Sequence, residues 1–87
     1  MRKIVFATTA LQDLQSFKSG NQKLVFRIFE LIADIQSEPF KGVGKPEPLK
    51  GNYKGFWSRR INDEHRLIYT VNDHFIEIHS CYGHYDQ

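Results

Sequence analysis

The stretch that decides the fold is Lys45–Tyr69, which has the sequence KPEPLKGNYKGFWSRRINDEHRLIY. Its first part is a loop in which Pro46 and Pro48 restrict the backbone around a single carboxylate, Glu47. Its second part alternates large apolar and polar residues on both sides of a polar turn at 62–64, a pattern that predicts an antiparallel hairpin. We expect the rest of the chain to pack around this hairpin.

Charge is unevenly distributed along the chain. From Lys41 to Arg66 there are seven basic and three acidic side chains, a balance of +4, and the remaining five basic and seven acidic residues sum to −2. Together these values give the formal net charge of +2. A concentrated positive segment is typical of proteins that bind polyanions. The sequence therefore predicts a nucleic-acid partner.

The composition limits the other possibilities. Residues 1–87 are too few for two cores, which predicts a single domain. No apolar run reaches the roughly 18 residues of a membrane span, and the opening segment is too short for a signal peptide. The one cysteine, Cys81, has no partner for an internal disulfide. These features predict a cytoplasmic protein without a membrane partner.

Upstream of the hairpin, the pattern predicts one strand and two helices. Lys3–Phe6 is a short apolar run typical of a strand. Thr9 and Gln12 have the spacing of a capping box at the start of a first helix, which Gly20 ends. A second helix is predicted from residue 21 to 37, ending before Pro39. Its apolar face repeats every 3.6 residues: Leu24, Val25, Ile28, Leu31, Ile32 and Ile35.

Residues 38–54 are predicted to form a long irregular segment, either functional or a simple crossover from helix to sheet. Three strands follow at about 56–61, 65–71 and 75–82. The order β-α-α-β-β-β predicts an α+β fold with a helical hairpin packed on a mostly antiparallel sheet. Alternation groups Trp57 with Arg59, and Ile78 with Ser80 and Tyr82, but does not tell which sheet face meets the helices.

Two residues are candidates for acid–base chemistry. Glu47, held rigidly among cations, would be ionised at neutral pH and fit to act as a base; the alternative is a surface glutamate in a turn. His84 follows the last predicted strand and could protonate a leaving oxygen as an imidazolium. Tyr85 is a candidate for stacking on a nucleotide base.

The basic side chains of the same segment are candidates for binding phosphate oxygens, since guanidinium forks and ammonium groups match them. The alternative is a solvated strand face paired with Asp63 or Glu64. The predicted contacts are Lys45, Lys50, Lys54, Arg59, Arg60 and Arg66. No paired metal-ligand motif accompanies His79, Cys81 and His84, so no metal or other cofactor is predicted. Two classes remain open, a metal-free ribonuclease and a basic nucleic-acid-binding module.

Three runs resemble the YoeB/Txe family of the RelE/ParE superfamily of bacterial toxins. They are Gly44-Lys45-Pro46-Glu47-Pro48-Leu49-Lys50, Gly55-Phe56-Trp57-Ser58-Arg59-Arg60-Ile61 and Glu64-His65-Arg66-Leu67-Ile68-Tyr69. The likeness extends from the opening strand to Tyr82-Gly83-His84-Tyr85. It implies a RelE-like fold and the toxin of a type II toxin–antitoxin pair, a ribosome-dependent endonuclease that cleaves mRNA in the ribosomal A site.

The resemblance also implies roles for individual residues. Glu47 matches the general base, Arg66 the phosphate-stabilising arginine, and His84 with Tyr85 the C-terminal acid and its companion. Lys50 and Arg60 match supporting cationic positions. The implied partners are a small antitoxin of the YefM/Axe type, mRNA and the 70S ribosome, with a possible homodimer.

The chain departs from the family pattern after Tyr85, where Asp86 and Gln87 follow. Because of this extension, the residue directly after Tyr85 does not carry a terminal carboxylate, which counts against a role for such a group at that place. Within the superfamily, a DNA-gyrase poison of the ParE type is the alternative, although its members lack the base and acid pair.

Overall fold

A five-stranded sheet carries two helices on one face in the computed structural model, which describes residues 1–83. The strands lie in the order β1-β5-β4-β3-β2; β1 and β5 pair in parallel and the other three pairs are antiparallel. This confirms the predicted α+β class and the mostly antiparallel sheet. The elements are β1 (Lys3–Phe6), α1 (Thr8–Lys18), α2 (Gln22–Ser37), β2 (Glu47–Pro48), a 3-10 turn (Gly51–Tyr53), β3 (Trp57–Arg60), β4 (Arg66–Val71) and β5 (Phe75–Ser80).

The apolar face of α2 packs on the sheet as predicted. Its four most buried side chains recur at intervals of three or four residues, which places them on one side of the helix. They join the main core with residues of β4 and β5, and Leu24 and Val25 pack at its margin. The buried positions of α2 are Ile28, Leu31, Ile32 and Ile35.

The start of α1 differs from the prediction. The helix begins at Thr8, and its N-cap residue Ala7 makes no side-chain capping bond, so the capping box of Thr9 and Gln12 is wrong. The backbone N–H of Ala7 instead donates to the carbonyl of Ile78 at 3.0 Å. The parallel pairing of β1 with β5 thus continues to the N-cap residue immediately before the helix, and the sheet sets where α1 begins.

The face that meets the helices contains Arg59, Leu67 and Tyr69, all with 0% exposure. Cross-strand neighbours share a face, so the opposite face is defined by the register of β2, β3 and β4. We call it the open face. Its members include Glu47, Ser58, Arg60, Arg66 and Ile68.

A β-bulge changes the predicted faces of β5. Ile68 pairs with Ser80 whereas Tyr69 pairs with Ile78, so one extra residue lies between the two pairs. The bulge brings Cys81 into the main core with Ile78 and leaves Tyr82 exposed. The predicted grouping of Ile78 with Ser80 and Tyr82 is therefore wrong, because alternation assumes an uninterrupted strand.

The segment 38–54 is more ordered than predicted. Glu47–Pro48 forms the edge strand β2, and Gly51–Tyr53 forms the 3-10 turn. An edge position suits Pro48, because a proline lacks the N–H that a central strand would need. Within residues 1–83, no helix is long and apolar enough to cross a membrane.

The buried thiol of Cys81 gives a direct test of this fold. Burial raises its pKa to about 12, and Asp13 adds to the shift. Thiolate is the reactive form, so the native protein should react with iodoacetamide at pH 8 at least tenfold more slowly than the same protein in guanidinium chloride. Equal rates in both conditions would contradict the bulge that buries this residue.

Candidate active site

The edge strand β2 places Glu47 on the open face of the sheet. Glu47 lies directly opposite Ser58, and Arg60 stands two residues further along the same face of β3. Residues in this diagonal relation are roughly 7–8 Å apart, within reach of a long arginine side chain. The Glu47 side chain is exposed, so it is available to a ligand.

Two arginines face one another beside this carboxylate. Arg60 on β3 and Arg66 on β4 are directly opposed partners in the register. Opposed side chains are about 5 Å apart at Cβ, and like charges in this position destabilise a sheet. An anion bound between them would relieve the repulsion, as expected at a phosphate site.

Arg66 is oriented by its own turn. One terminal nitrogen donates to the carbonyl oxygens of Asn62 at 2.6 Å and His65 at 3.1 Å. The turn itself is closed by the Asn62 amide oxygen, which accepts the backbone N–H groups of Glu64 and His65. The guanidinium is thus held in place while remaining partly exposed.

The three lysines of the predicted set are all exposed around β2. Lys50 precedes the 3-10 turn and Lys54 follows it. Lys45 has a positive φ of 52°, which is unusual for a residue other than glycine and more so before a proline. Strained backbone of this kind is concentrated at functional sites, and here it turns the chain towards Glu47.

Arg59 does not join this group. Its side chain has 0% exposure, points to the helix side of β3, and hydrogen-bonds the protein through each of its three nitrogens. It pairs with Asp34 of α2 and donates to backbone carbonyls of the loop that precedes β2. These acceptors are Glu38 at 2.6 Å, Lys41 at 2.8 Å and Val43 at 3.0 Å. Arg59 therefore cannot contact a phosphate in this structure, because its side chain is buried and its donors already bind protein acceptors.

Two side chains that contact Arg59 have shifted pKa values. The hydrogen bond from Arg59 lowers the pKa of Asp34 below its ordinary value of 3.8, and the N–H of Val43 contributes in the same direction. Burial raises the pKa of Tyr69, which keeps its hydroxyl protonated. That hydroxyl accepts from Arg59 Nε at 3.3 Å and donates to the carbonyl of Pro39 at 2.7 Å. We call Arg59, Asp34, Tyr69 and the bonded loop carbonyls the Arg59 cluster.

The predicted acid His84 and its companion Tyr85 lie outside the described residues. The chain is anchored immediately before them, because the N–H of Gly83 donates to His65 Nδ1 at 2.8 Å and the carbonyl of Gly83 accepts from the Arg66 N–H at 2.7 Å. The His65 ring in turn packs against Phe17 and Tyr82. Residue 83 is therefore fixed beside Arg66. Among residues 1–83, no three histidine, cysteine or acidic side chains are grouped to hold a metal ion.

Comparison with known proteins identifies a family that covers most of the chain. Residues 6–85 match the model of the family described as YoeB-like toxin of bacterial type II toxin-antitoxin system. The chain belongs to the YoeB-like toxin family. It is therefore a toxin of a type II toxin–antitoxin system, and the resemblance seen in the sequence is confirmed.

Individual relatives of this YoeB-like toxin cover nearly the whole chain. A protein named Toxin YoeB from Synechocystis sp. is 49% identical over 98% of this chain and 99% of its own. The structure of a YoeB/ParE toxin from Agrobacterium tumefaciens has a TM-score of 0.91 at 39% identity, covering 95% of this chain and 99% of that one. The structure of the YoeB dimer from Staphylococcus aureus has a TM-score of 0.89 at 46% identity, covering 97% and 98%.

Sequence reasoning missed the structural role of Arg59 in this YoeB-like toxin. Alternation already grouped Arg59 with Trp57, and Trp57 packs against the main core. A charged residue on a core face needs a partner of opposite charge, and Asp34 lies beside the apolar stripe of α2, between Ile32 and Ile35 in sequence. An arginine on the same strand face as Trp57, together with an aspartate beside the apolar stripe of α2, could have predicted the ion pair from the sequence.

The Arg59 cluster predicts an acid-dependent contribution to stability. Because the folded-state pKa of Asp34 lies below its ordinary value of 3.8, its contribution is fully present above that pH and is lost as pH falls through the folded-state value. At pH 7, Asp34→Asn should lower the free energy of unfolding by roughly 1–3 kcal/mol, because the buried guanidinium loses a charged acceptor.

Urea unfolding between pH 2 and pH 7 checks this prediction. The difference between wild type and Asp34→Asn should begin to narrow as pH falls below 3.8, where the unfolded chain takes up a proton, and should vanish only once pH has fallen through the lower folded-state pKa of Asp34. The exposed turn variant Asp63→Asn is the matched control, and at pH 7 it should stay within about 0.5 kcal/mol of wild type. A difference for Asp34→Asn that is constant over the whole range would contradict the ion pair.

Proposed function

We propose that this toxin is a ribosome-dependent endoribonuclease that cleaves mRNA in the ribosomal A site and stops translation. The observation that carries the proposal is the arrangement on the open face, where a carboxylate stands beside two directly opposed arginines. A base next to a phosphate site is what cleavage of RNA by its own 2′-hydroxyl requires. Exposed lysines around β2 extend the positive surface for the RNA backbone.

The proposed reaction begins at Glu47. Its carboxylate takes the proton of a ribose 2′-hydroxyl, and the resulting oxygen attacks the adjacent phosphorus. Arg66, with Arg60 and Lys50 nearby, stabilises the charge that develops on the non-bridging oxygens. The bond from phosphorus to the 5′-oxygen then breaks.

His84 completes the proposed reaction by donating a proton to the departing 5′-oxygen. The products are a 2′,3′-cyclic phosphate and a 5′-hydroxyl, so no oxidant or co-reactant is consumed. Each step uses a side chain as acid, base or cation, and the proposed chemistry therefore requires no metal. Tyr85 supplies an aromatic surface for a neighbouring base.

The proposal includes a protein partner and a location. In Staphylococcus aureus, a homologous chain of 46% identity was solved as a YoeB-YefM complex, and another as a dimer. We extend both kinds of assembly to this toxin, with a YefM-like antitoxin that neutralises it by covering the open face. An acidic segment that folds on binding suits a basic surface of this kind. Action on ribosomes places the toxin in the cytoplasm.

The role of Glu47 is tested by Glu47→Gln, which keeps the size of the side chain and removes the base. Its side chain is exposed, so the thermal midpoint should stay near wild type while cleavage falls roughly 10²-fold or more. The matched control is Glu30→Gln, the same change at an exposed position of α2, which should cleave like wild type. Primer extension on ribosomes programmed with a defined mRNA measures the cut.

The same assay separates the proposal from its rivals. A non-catalytic nucleic-acid-binding module or a ParE-like gyrase poison would leave the mRNA uncut at toxic doses. Wild-type cleavage by Glu47→Gln would instead remove Glu47 from the mechanism while leaving the toxin a nuclease.

The proposed antitoxin contact can be tested with the same protein. Binding of a YefM-like antitoxin to the open face should stop cleavage and protect Lys45, Lys50 and Lys54 from acetylation, because all three are exposed in the free toxin. Lys18 and Lys23 on the helical hairpin serve as internal controls. An antitoxin that protects only these two and leaves cleavage running would contradict the proposal.

A further inference from the structure

We infer that Arg59 is a positioning residue for cleavage, because the cluster around its buried guanidinium fixes the loop that places Glu47. The inference rests on the proposed function, in which Glu47 is the base. Arg59 itself faces away from the RNA, so it acts only through the backbone of residues 38–44.

The edge strand alone gives Glu47 little support. β2 contains two residues and pairs with β3 through Glu47 and Pro48 only. On its C-terminal side, the N–H of Leu49 donates to the carbonyl of Phe56 at 2.9 Å. A strand of this length has too few ladder bonds to hold one position against RNA binding.

The Arg59 cluster supplies the missing support on the N-terminal side. Three carbonyls of the loop, at Glu38, Lys41 and Val43, accept hydrogen bonds from the guanidinium. Asp34 also accepts the N–H of Val43 at 3.1 Å. Hydrogen bonds to the buried Arg59 side chain thus hold the beginning, the middle and the end of the loop.

The last link joins this loop to β2. The carbonyl of Gly44 accepts the N–H of Arg60 at 2.6 Å, so the loop leaves the cluster directly beside the opposed arginines. Gly44 has a φ of 81°, and a Cβ there would lie 2.8 Å from a methyl carbon of Leu31. The positive φ of Gly44 and its close contact with Leu31 therefore fix the direction in which the chain enters Lys45, Pro46 and Glu47.

A spectroscopic probe lies within the same structure. Trp57 is the only tryptophan, and its ring centroid lies 4.9 Å from that of Phe40 in the loop. Movement of the loop should therefore change Trp57 emission, whereas loss of stability elsewhere in a folded protein should not.

Two variants disturb the cluster while Arg59 stays in place. Tyr69→Phe removes the hydroxyl that joins Arg59 to Pro39 and keeps the buried ring. Gly42→Ala adds a Cβ that would lie 2.0 Å from Asp34 Oδ2 at a φ of 121°. The matched controls are Ile76→Val, a core change separated from β3 by β4, and Gly20→Ala, where nothing lies within 4 Å of the new Cβ.

Cleavage on programmed ribosomes is measured at a temperature where far-UV circular dichroism shows every variant fully folded. Both cluster variants should lower kcat roughly 10- to 100-fold, because a displacement of about 1 Å costs this much, and leave KM within about twofold. They should also change Trp57 emission, and the controls should match wild type in both readouts. In a Glu47→Gln background, Gly42→Ala should cause no further loss, because its effect passes through Glu47.

The outcomes separate this inference from the proposed function. Wild-type kcat in both folded cluster variants, or an equal further loss in the Glu47→Gln background, overturns the role of Arg59 and leaves the nuclease proposal standing. Wild-type cleavage by Glu47→Gln removes the base itself and the positioning role together.

Discussion

The ion pair between Arg59 and Asp34 is the interaction on which the arrangement of this toxin depends. A charged group with 0% exposure is stable only when its donors are used, and here they bind a carboxylate, a phenol and three loop carbonyls. Each buried donor left without an acceptor would cost roughly 1–3 kcal/mol, so alternative paths of loop 38–44 are disfavoured together. The pair joins a fully buried arginine to a partly exposed carboxylate and contributes little net stability, but the buried guanidinium selects one conformation of the loop, and the edge strand begins from that conformation.

The helices and central strands could be predicted because local pattern and burial agree there. The apolar period of α2 matched the side of the helix that is buried. The polar turn at 62–64 and the predicted strands at about 65–71 and 75–82 matched the positions of β3, β4 and β5. The bulge at residue 79 could not be predicted from alternation, since it depends on the partner strand. The start of α1 was missed for a similar reason, because a hydrogen bond to Ile78 sets it.

The candidate site was predictable in its chemistry and less so in its geometry. Glu47, Arg60 and Arg66 were recognisable as a carboxylate among cations, and the register brings them to one face. Arg59 is adjacent to Arg60 in sequence and has the same chemistry, yet a strand sends it to the opposite side. Which of two neighbouring arginines meets the ligand depends on which face the helices cover, and that is a property of the whole fold.

The strand order has a consequence for the biosynthesis of the toxin. β5 lies between β1 and β4 in space but follows both in the chain, and β1 has no other strand neighbour in the described sheet. Until β5 has been made, β1 therefore has no strand to pair with in the described sheet, and β2, β3 and β4 are not connected to it. Only the synthesis of residues 75–80 joins them and completes the surface under α1 and α2. The open face therefore belongs to a sheet that is complete only after the last described strand has been made.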